Sequence, residues 1–199
     1  MAGAGLSVLA WLGVLVLSLA TSAYEFRGIQ SDAQRIAIWI AVGLVINLMV
    51  GLSEELDARG YILQNLTEGI GFWAAVVVSS LFFAAQHLLN AGANPGALVG
   101  TGLFGILAAL AYRATGQLWM PIGMHAAWNF LEGPVLGYLV SGIDMGGLFA
   151  LRATGPDWLT GGTFGPEGGV ITWVPLTLLV VLMYAWSSRA RVPQPSPES

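Results

Sequence analysis

The sequence predicts an all-α polytopic membrane protein, a single transmembrane bundle of about six to seven helices. Hydrophobic residues make up 56% of its 199 residues. The mean hydropathy of +0.73 lies well above that of a soluble domain, and the apolar residues occur in blocks long enough to cross a bilayer. The 27 glycines allow neighbouring helices to approach closely in lipid.

The few charged residues exclude several classes of function. They are only 9% of the chain, the basic ones are all arginine, and the formal net charge is −4. Without a basic patch, the chain is not expected to bind nucleic acid. The chain contains no cysteine, which excludes disulfides, thiolate nucleophiles and cysteine metal ligands. Any catalysis therefore has to use carboxylates, histidines, hydroxyl groups or a metal.

Residues 1–23 are predicted to form a first transmembrane helix. The apolar run at 4–20 ends in small residues that resemble a signal-peptide cleavage site. A secretory signal begins with basic residues, however, and no positive charge precedes this run. We therefore expect a retained helix, followed by a polar connection at residues 24–35.

Further helical segments are predicted along the rest of the chain. The second span, residues 36–52, runs into a stretch at 54–67 in which apolar residues recur at helical spacing. This stretch either continues the helix inward or lies along the membrane interface. The other predicted elements are spans at 69–89 and 96–114, the latter ended by Gly116, a helix beginning near Trp119 or Pro121, an ordered loop at 141–169, a last span at 170–187 and a disordered tail at 189–199.

A cluster of charged residues directly follows the second span. Glu55 and Arg59 are four residues apart, so they share one helical face and can form an ion pair, whereas Glu54 points about 100° away. Arg59 can then neutralise and orient one carboxylate, while the other stays free to bind water or a metal. The alternative is an interfacial charge cluster whose side chains snorkel to the membrane surface.

The two histidines of the chain lie in two other apolar segments. Phe83 precedes His87 by four residues, and His125 precedes Asn129 by four, so each pair lines one side of its helix. A histidine alone in a span is more often a hydrogen-bonded packing residue than a ligand. Together with the glutamates, these side chains can activate water and stabilise an oxyanion, or bind a divalent metal.

Glu132 is a further carboxylate in the segment that carries His125. It lies seven residues after His125 and therefore on the same helical face. Because Gly133 predicts an exposed helix end, we do not expect Glu132 to join the site.

Three spaced patterns, in this order and each in a hydrophobic helix, resemble those of the CPBP family, also called Abi. This family comprises CAAX-type prenyl endopeptidases and bacteriocin-processing proteins. The resemblance covers residues 36–188, a CPBP-like domain, and the loop at 157–168 resembles that of bacterial members. One departure is Ala58, where many members have phenylalanine. The patterns are Glu-Glu-x-x-x-Arg (Glu54, Glu55, Arg59), Phe-x-x-x-His (Phe83, His87) and His-x-x-x-Asn (His125, Asn129).

The resemblance implies an all-helical intramembrane bundle with a polar cavity. It also implies endoproteolysis by an activated water. The catalytic residues that it implies are Glu54 and His87, which activate the water, Glu55 and Arg59, which orient it, and His125 and Asn129, which hold the oxyanion.

The resemblance leaves the cofactor open between two schemes. In one, a divalent metal such as zinc is held by Glu54, His87 and His125. In the other, no metal takes part and a glutamate activates the water.

We therefore expect an intramembrane endopeptidase of the CAAX-prenyl-protease type in a bacterial plasma membrane. Its substrate would be a hydrophobic or lipidated peptide or protein in contact with the lipid bilayer. One alternative is a non-proteolytic membrane partner that binds through the same cavity, as suggested for family members linked to bacteriocin immunity. Another is an ion or proton path, since intramembrane carboxylates and histidines also form relays.

Overall fold

The computed structural model describes residues 2–30 and 32–189, which form an all-α bundle with one small sheet. Within these residues, five helical stretches are long and apolar enough to cross a membrane, which confirms the predicted polytopic fold. Apart from Arg189, the predicted tail at 189–199 lies outside the described residues. The helices are α1 (Ala2–Ala20), α2 (Ala33–Glu55), α3 (Leu63–Ile70), α4 (Phe72–Gln86), α5 (Pro95–Thr115), α6 (Trp119–Phe130), the single turn α7 (Asp157–Thr160) and α8 (Val170–Ser187).

The second span is one long helix that widens just after the acidic cluster. α2 ends at Glu55, a π-helical segment (Leu56–Ile62) follows without a break, and α3 continues to Ile70. The stretch at 54–67 therefore continues the helix, which was one of the two predicted alternatives. π-Helical segments are rare and often lie at functional sites. This one carries Arg59, whose side chain is buried.

α5 lies inside the bundle, where it packs against α4 and α8. Small residues permit this close packing, since a Cβ at Gly105 would lie 3.0 Å from the Cβ of Ser80 on α4. Asn94 caps the first turn by accepting a hydrogen bond from the backbone N–H of Ala97. The helix ends at Gly116, as predicted, and the structure shows this residue in the left-handed conformation (φ +66°).

α1 packs along α6 and belongs to the core of the bundle. Trp11 is buried, and its ring centroid lies 4.9 Å from that of Trp128 on α6. The Ser7 hydroxyl donates a 2.7 Å hydrogen bond to the carbonyl oxygen of Met124. α1 therefore supports the helix on which His125 lies.

The segment predicted as a polar connection, residues 24–35, is partly a β-strand. β1 (Tyr24–Ile29) pairs antiparallel with β2 (Phe149–Ala153), and a bulge lies between Phe26 and Gly28. The strand is not evident in the sequence because its partner lies in a distant loop, and so short a segment has little signal of its own. The predicted connection therefore contains a six-residue strand that the sequence analysis did not anticipate.

The loop at 141–169 is ordered, as predicted, but it contains more regular structure than expected. Besides β2 and α7, it includes two 3₁₀ turns, Gly162–Phe164 and Pro166–Gly168. Phe164 is fully buried. The second turn packs against α5, which brings the loop to the inner wall of the bundle.

α6 does not stop at Gly133. A second π-helical segment, Leu131–Val135, continues it through Pro134, and both Gly133 and Pro134 are buried. The predicted exposed helix end is therefore wrong. Glycine serves here for packing, since a Cβ at Gly133 would lie 2.8 Å from a side-chain carbon of Val140.

Candidate active site

A cavity of about 330 Å³ lies between α2, α4, α5, α6 and the loop that follows α6. The three sequence patterns, from three different helices, converge on it. Glu55 and Arg59 lie behind its wall, where both are buried. The other four predicted site residues line the cavity: Glu54 from α2, His87 from the end of α4, and His125 and Asn129 from α6.

Glu55 and Arg59 form the predicted ion pair. The Arg59 Nη1 lies 2.9 Å from the Glu55 Oε1, and its Nη2 donates to the carbonyl oxygen of Gly105 at 3.0 Å. The guanidinium also lies over the Phe83 ring, 4.5 Å from the centroid. The two side chains are 0% and 1% exposed, so they do not snorkel to the surface. The pair stays in the interior because each charge has an opposite charge and a hydrogen bond beside it.

His125 joins the two glutamates across the α2–α6 interface. Its Nδ1 lies 2.8 Å from the Glu55 Oε1. Because an ionised carboxylate can only accept, Nδ1 carries the proton of this hydrogen bond. The other ring nitrogen, Nε2, lies 3.9 Å from the Glu54 Oε2. Glu55 therefore fixes the orientation of the ring and turns Nε2 towards Glu54.

His87 is anchored in a similar way by its own helix. α4 ends in a 3₁₀ turn, His87–Leu89, and the Nδ1 of His87 lies 2.8 Å from the carbonyl oxygen of Phe83. A carbonyl oxygen can only accept, so Nδ1 is the donor and Nε2 is left free. The Phe83 ring lies 4.8 Å from the His87 ring and 6.0 Å from that of His125. Phe83 thereby contacts both histidines and carries the carbonyl group that orients His87.

Glu54 and Asn129 supply the remaining polar groups of the predicted site. The Glu54 side chain is 39% exposed, so water can reach it. Asn129 lies one turn after His125 on α6 and faces the same cavity. The two neighbouring glutamates therefore have different environments: Glu55 is enclosed by an arginine and a histidine, whereas Glu54 is open to the cavity.

The predicted metal ligands line one cavity but are not preassembled as a three-ligand centre in this structure. Glu54, His87 and His125 are of suitable types for zinc, and each histidine has a free Nε2. Over residues 2–30 and 32–189, however, no three histidine, aspartate or glutamate side chains are grouped so that they could hold one ion. The chemistry below is therefore derived from the side chains alone.

Glu167 also lines the cavity, although sequence reasoning did not select it. Its carboxylate accepts hydrogen bonds from the Trp128 indole and from Ser141, both of which line the same cavity. Spacing could not reveal these contacts because they join distant segments. The only signal was the resemblance of the loop at 157–168 to bacterial family members.

Glu132 does not line the cavity, but it is fully buried, in contrast to the expected exposed helix end. Its two carboxyl oxygens have no hydrogen-bond partner within the part of the chain that the structure describes. Burial, and then the nearby charge of Glu167, raise the pKa of Glu132 well above its usual range. Glu132 is therefore a buried acid behind the cavity whose neutral form is favoured.

Comparison with known proteins supports a family assignment. Residues 36–131, or 96 of the 199 residues, match the family model described as type II CAAX prenyl endopeptidase Rce1-like. The chain has no significant match among curated proteins or solved structures. The match confirms the resemblance to CAAX-type prenyl endopeptidases. Residues 36–131, with all three patterns in them, are similar to the type II CAAX prenyl endopeptidases of the Rce1-like family, a family of intramembrane proteases.

Proposed function

We propose that this protein is an intramembrane endopeptidase of the CAAX-prenyl-protease type in which Glu54 and His87 activate the attacking water. The observation that carries the proposal is the convergence of the three family patterns on one cavity. The loop at 157–168 resembles that of bacterial members, so we further propose that the protein acts in a bacterial plasma membrane.

The water would lie between Glu54 and His87. Glu54, as the carboxylate open to the cavity, accepts one of its protons as the general base. The Nε2 of His87 accepts a hydrogen bond from the other proton, because Nδ1 is engaged with the carbonyl oxygen of Phe83. The water oxygen then attacks the peptide carbonyl. Glu54 returns the proton to the leaving amine, so the protein ends the cycle unchanged.

The tetrahedral intermediate carries a negative oxygen that needs hydrogen-bond donors. The side-chain amide of Asn129 can donate directly. His125 donates through Nε2 in its doubly protonated form, in which the Glu55 Oε1 faces the positive ring. Arg59 holds Glu55 in place and balances its charge. Glu55 and Arg59 thus act on the intermediate through His125.

The cavity suits a hydrophobic substrate segment. Its apolar wall includes Ile46, Val50, Phe104, Val140 and Ile143. A lipidated or otherwise hydrophobic peptide can reach it from the bilayer. The family match supports a membrane-associated peptide as the substrate class.

The proposal is tested with purified protein in lipid and a panel of prenylated and unprenylated peptides, followed by mass spectrometry. We expect cleavage at one bond that is lost in Glu54→Gln and in His87→Ala. Glu68→Gln, which removes an exposed carboxylate outside the cavity, is the matched control and should cut at the normal rate. If Glu54→Gln and His87→Ala cut as well as the parent, the mechanism is wrong.

Further measurements on the same purified protein separate an enzyme from a binding partner and from an ion or proton path. A non-proteolytic partner would retain a hydrophobic peptide or protein without cleaving it, and the retention would survive Glu54→Gln. An ion or proton path would instead give a flux into proteoliposomes that His125→Ala abolishes. Either result without peptide cleavage would contradict the endopeptidase proposal.

A further inference from the structure

Glu167 reaches the cavity from a part of the chain outside the matched segment. It lies in the 3₁₀ turn Pro166–Gly168, and two contacts fix the backbone of this turn. Trp173 Nε1 donates to the Glu167 carbonyl oxygen at 3.2 Å. On the other side, a Cβ at Gly100 would collide with that carbonyl group, so the turn lies directly against α5. Glu167 is thus held by the fold and does not hang from a free loop.

The Glu167 carboxylate is surrounded by hydrogen-bond donors. Its Oε1 accepts from the Trp128 indole at 2.8 Å. Its Oε2 accepts from the Ser141 backbone N–H at 3.2 Å and from the Ser141 hydroxyl at 2.6 Å. An indole and a backbone N–H can only donate, which is the environment of an ionised carboxylate. The side chain therefore presents a fixed negative charge in the cavity wall.

No arginine of the described chain pairs with this charge. Glu55 has Arg59 beside it, whereas Glu167 forms no salt bridge within the described chain. None of the described residues that line the cavity is an arginine. Burial raises the pKa of Glu132, the acid behind Glu167, which disfavours a second charge there. Glu54 and Glu167 thus make the cavity acidic, with two histidines as its only basic groups among the lining residues.

We propose that Glu167 makes the cavity select substrates with neutral or basic residues beside the scissile bond and reject those with a carboxylate there. This inference rests on the proposed endopeptidase function. The cavity volume of about 330 Å³ equals that of a sphere roughly 9 Å across, which we take as a representative distance between Glu167 and a group bound in the cavity. At about 9 Å and an effective dielectric constant near 20, Coulomb repulsion makes a substrate group with a negative charge bind about 20-fold more weakly than a neutral group of the same size.

The test uses one hydrophobic peptide with a single cleavage bond, made with glutamine, glutamate or lysine beside that bond. Glutamine and glutamate differ in charge but hardly in size. For the parent protein, kcat/KM for the glutamate peptide should be at least about 10-fold below that for the glutamine peptide, and the lysine peptide should match or exceed glutamine.

Two variants assign the preference to Glu167. In Glu167→Gln, the ratio of kcat/KM for the glutamine peptide to kcat/KM for the glutamate peptide should fall towards one. In Glu167→Asp, which keeps the charge, and in the control Glu68→Gln, the ratio should persist. The comparison within the parent protein decides the selectivity even if Glu167→Gln does not fold.

The outcomes separate this inference from the proposed function. Equal cleavage of the glutamine and glutamate peptides by the parent would overturn the inference and leave the endopeptidase intact. An unchanged ratio in folded Glu167→Gln would also overturn it. Cleavage of none of the peptides would contradict the proposed function and the inference with it.

Discussion

The Oε1 of Glu55 lies 2.8 Å from the Nδ1 of His125 and joins α2 to α6 inside the bundle. The same oxygen lies 2.9 Å from Arg59. One carboxylate oxygen thus links the charge-balancing arginine to the ring that faces Glu54. In the mechanism proposed above, Glu55 is a positioning residue and its neighbour Glu54 reacts with the water.

The first prediction separates these two glutamates by stability. Glu55→Gln leaves Arg59 buried without its counter-charge, so it should lower the free energy of unfolding by about 3–5 kcal/mol. Glu54→Gln changes a partly exposed side chain and should alter it by less than about 1 kcal/mol. Equilibrium unfolding in detergent or lipid measures both. Equal effects of the two changes would contradict the assignment of different roles.

The second prediction concerns the contact between α2 and α6. A Cβ at Gly51 would lie 2.8 Å from the backbone nitrogen of Ala126 and 3.1 Å from the carbonyl oxygen of Ile122. Gly51→Ala should therefore move Glu54 and Glu55 away from His125. A shift of about 1 Å can cost up to about 100-fold in rate, so we expect kcat/KM to fall at least about 10-fold.

Gly69→Ala is the matched control for this change. Gly69 lies in α3, and a Cβ there would meet nothing within 4 Å. Its kcat/KM should stay within about twofold of the parent value. If Gly51→Ala behaved like Gly69→Ala, the close α2–α6 contact would not be needed to hold the site.

The third prediction follows from the buried acid Glu132. Its pKa in the folded protein lies well above the value of 4.5 that it has when exposed. Between these two pKa values the folded protein holds a proton that the unfolded chain has lost, so stability falls as the pH rises through this window. Glu132→Gln removes this dependence.

The measurement compares the unfolding free energies of the parent and Glu132→Gln at several pH values from about 5 to 8. The stability of the variant relative to the parent should rise with pH. Glu68→Gln, at an exposed carboxylate, should show no such trend. A constant difference between parent and Glu132→Gln would show that Glu132 does not titrate in this way.

The fourth prediction concerns metal. In the proposed mechanism Glu54 and His87 act on the water directly, so the parent protein should keep its cleavage activity after chelation. Elemental analysis of the same sample should find less than one equivalent of bound divalent ion. Stoichiometric metal whose removal abolishes cleavage, and whose return restores it, would contradict this prediction.

Local spacing in the sequence predicted the parts of the site that lie on one helix. The four-residue separation of Glu55 and Arg59 is enough to predict their ion pair, since helical geometry alone brings them together. The long apolar blocks likewise predicted the membrane-spanning helices, because length and hydropathy decide whether a helix can cross a bilayer. These features depend on residues that are close in the chain.

Features that join distant segments could not be predicted in this way. The contact of Glu167 with Trp128 depends on how the loop after α6 returns to α5. The pairing of β1 with β2 depends on the same return of the chain. The prediction of an exposed helix end at Gly133 failed for a related reason. The absence of a Cβ at this residue serves close packing against Val140 and does not end the helix.

The central claim is that Glu54 acts as the base in peptide hydrolysis. The most direct test measures the single-turnover rate at which the parent and the Glu54→Gln protein cleave the same peptide. The comparison requires that the two proteins have equal free energies of unfolding and bind the peptide equally well. Loss of a general base lowers the rate about 10²- to 10⁴-fold, and we predict a fall in this range. A Glu54→Gln rate within about twofold of the parent would contradict the account.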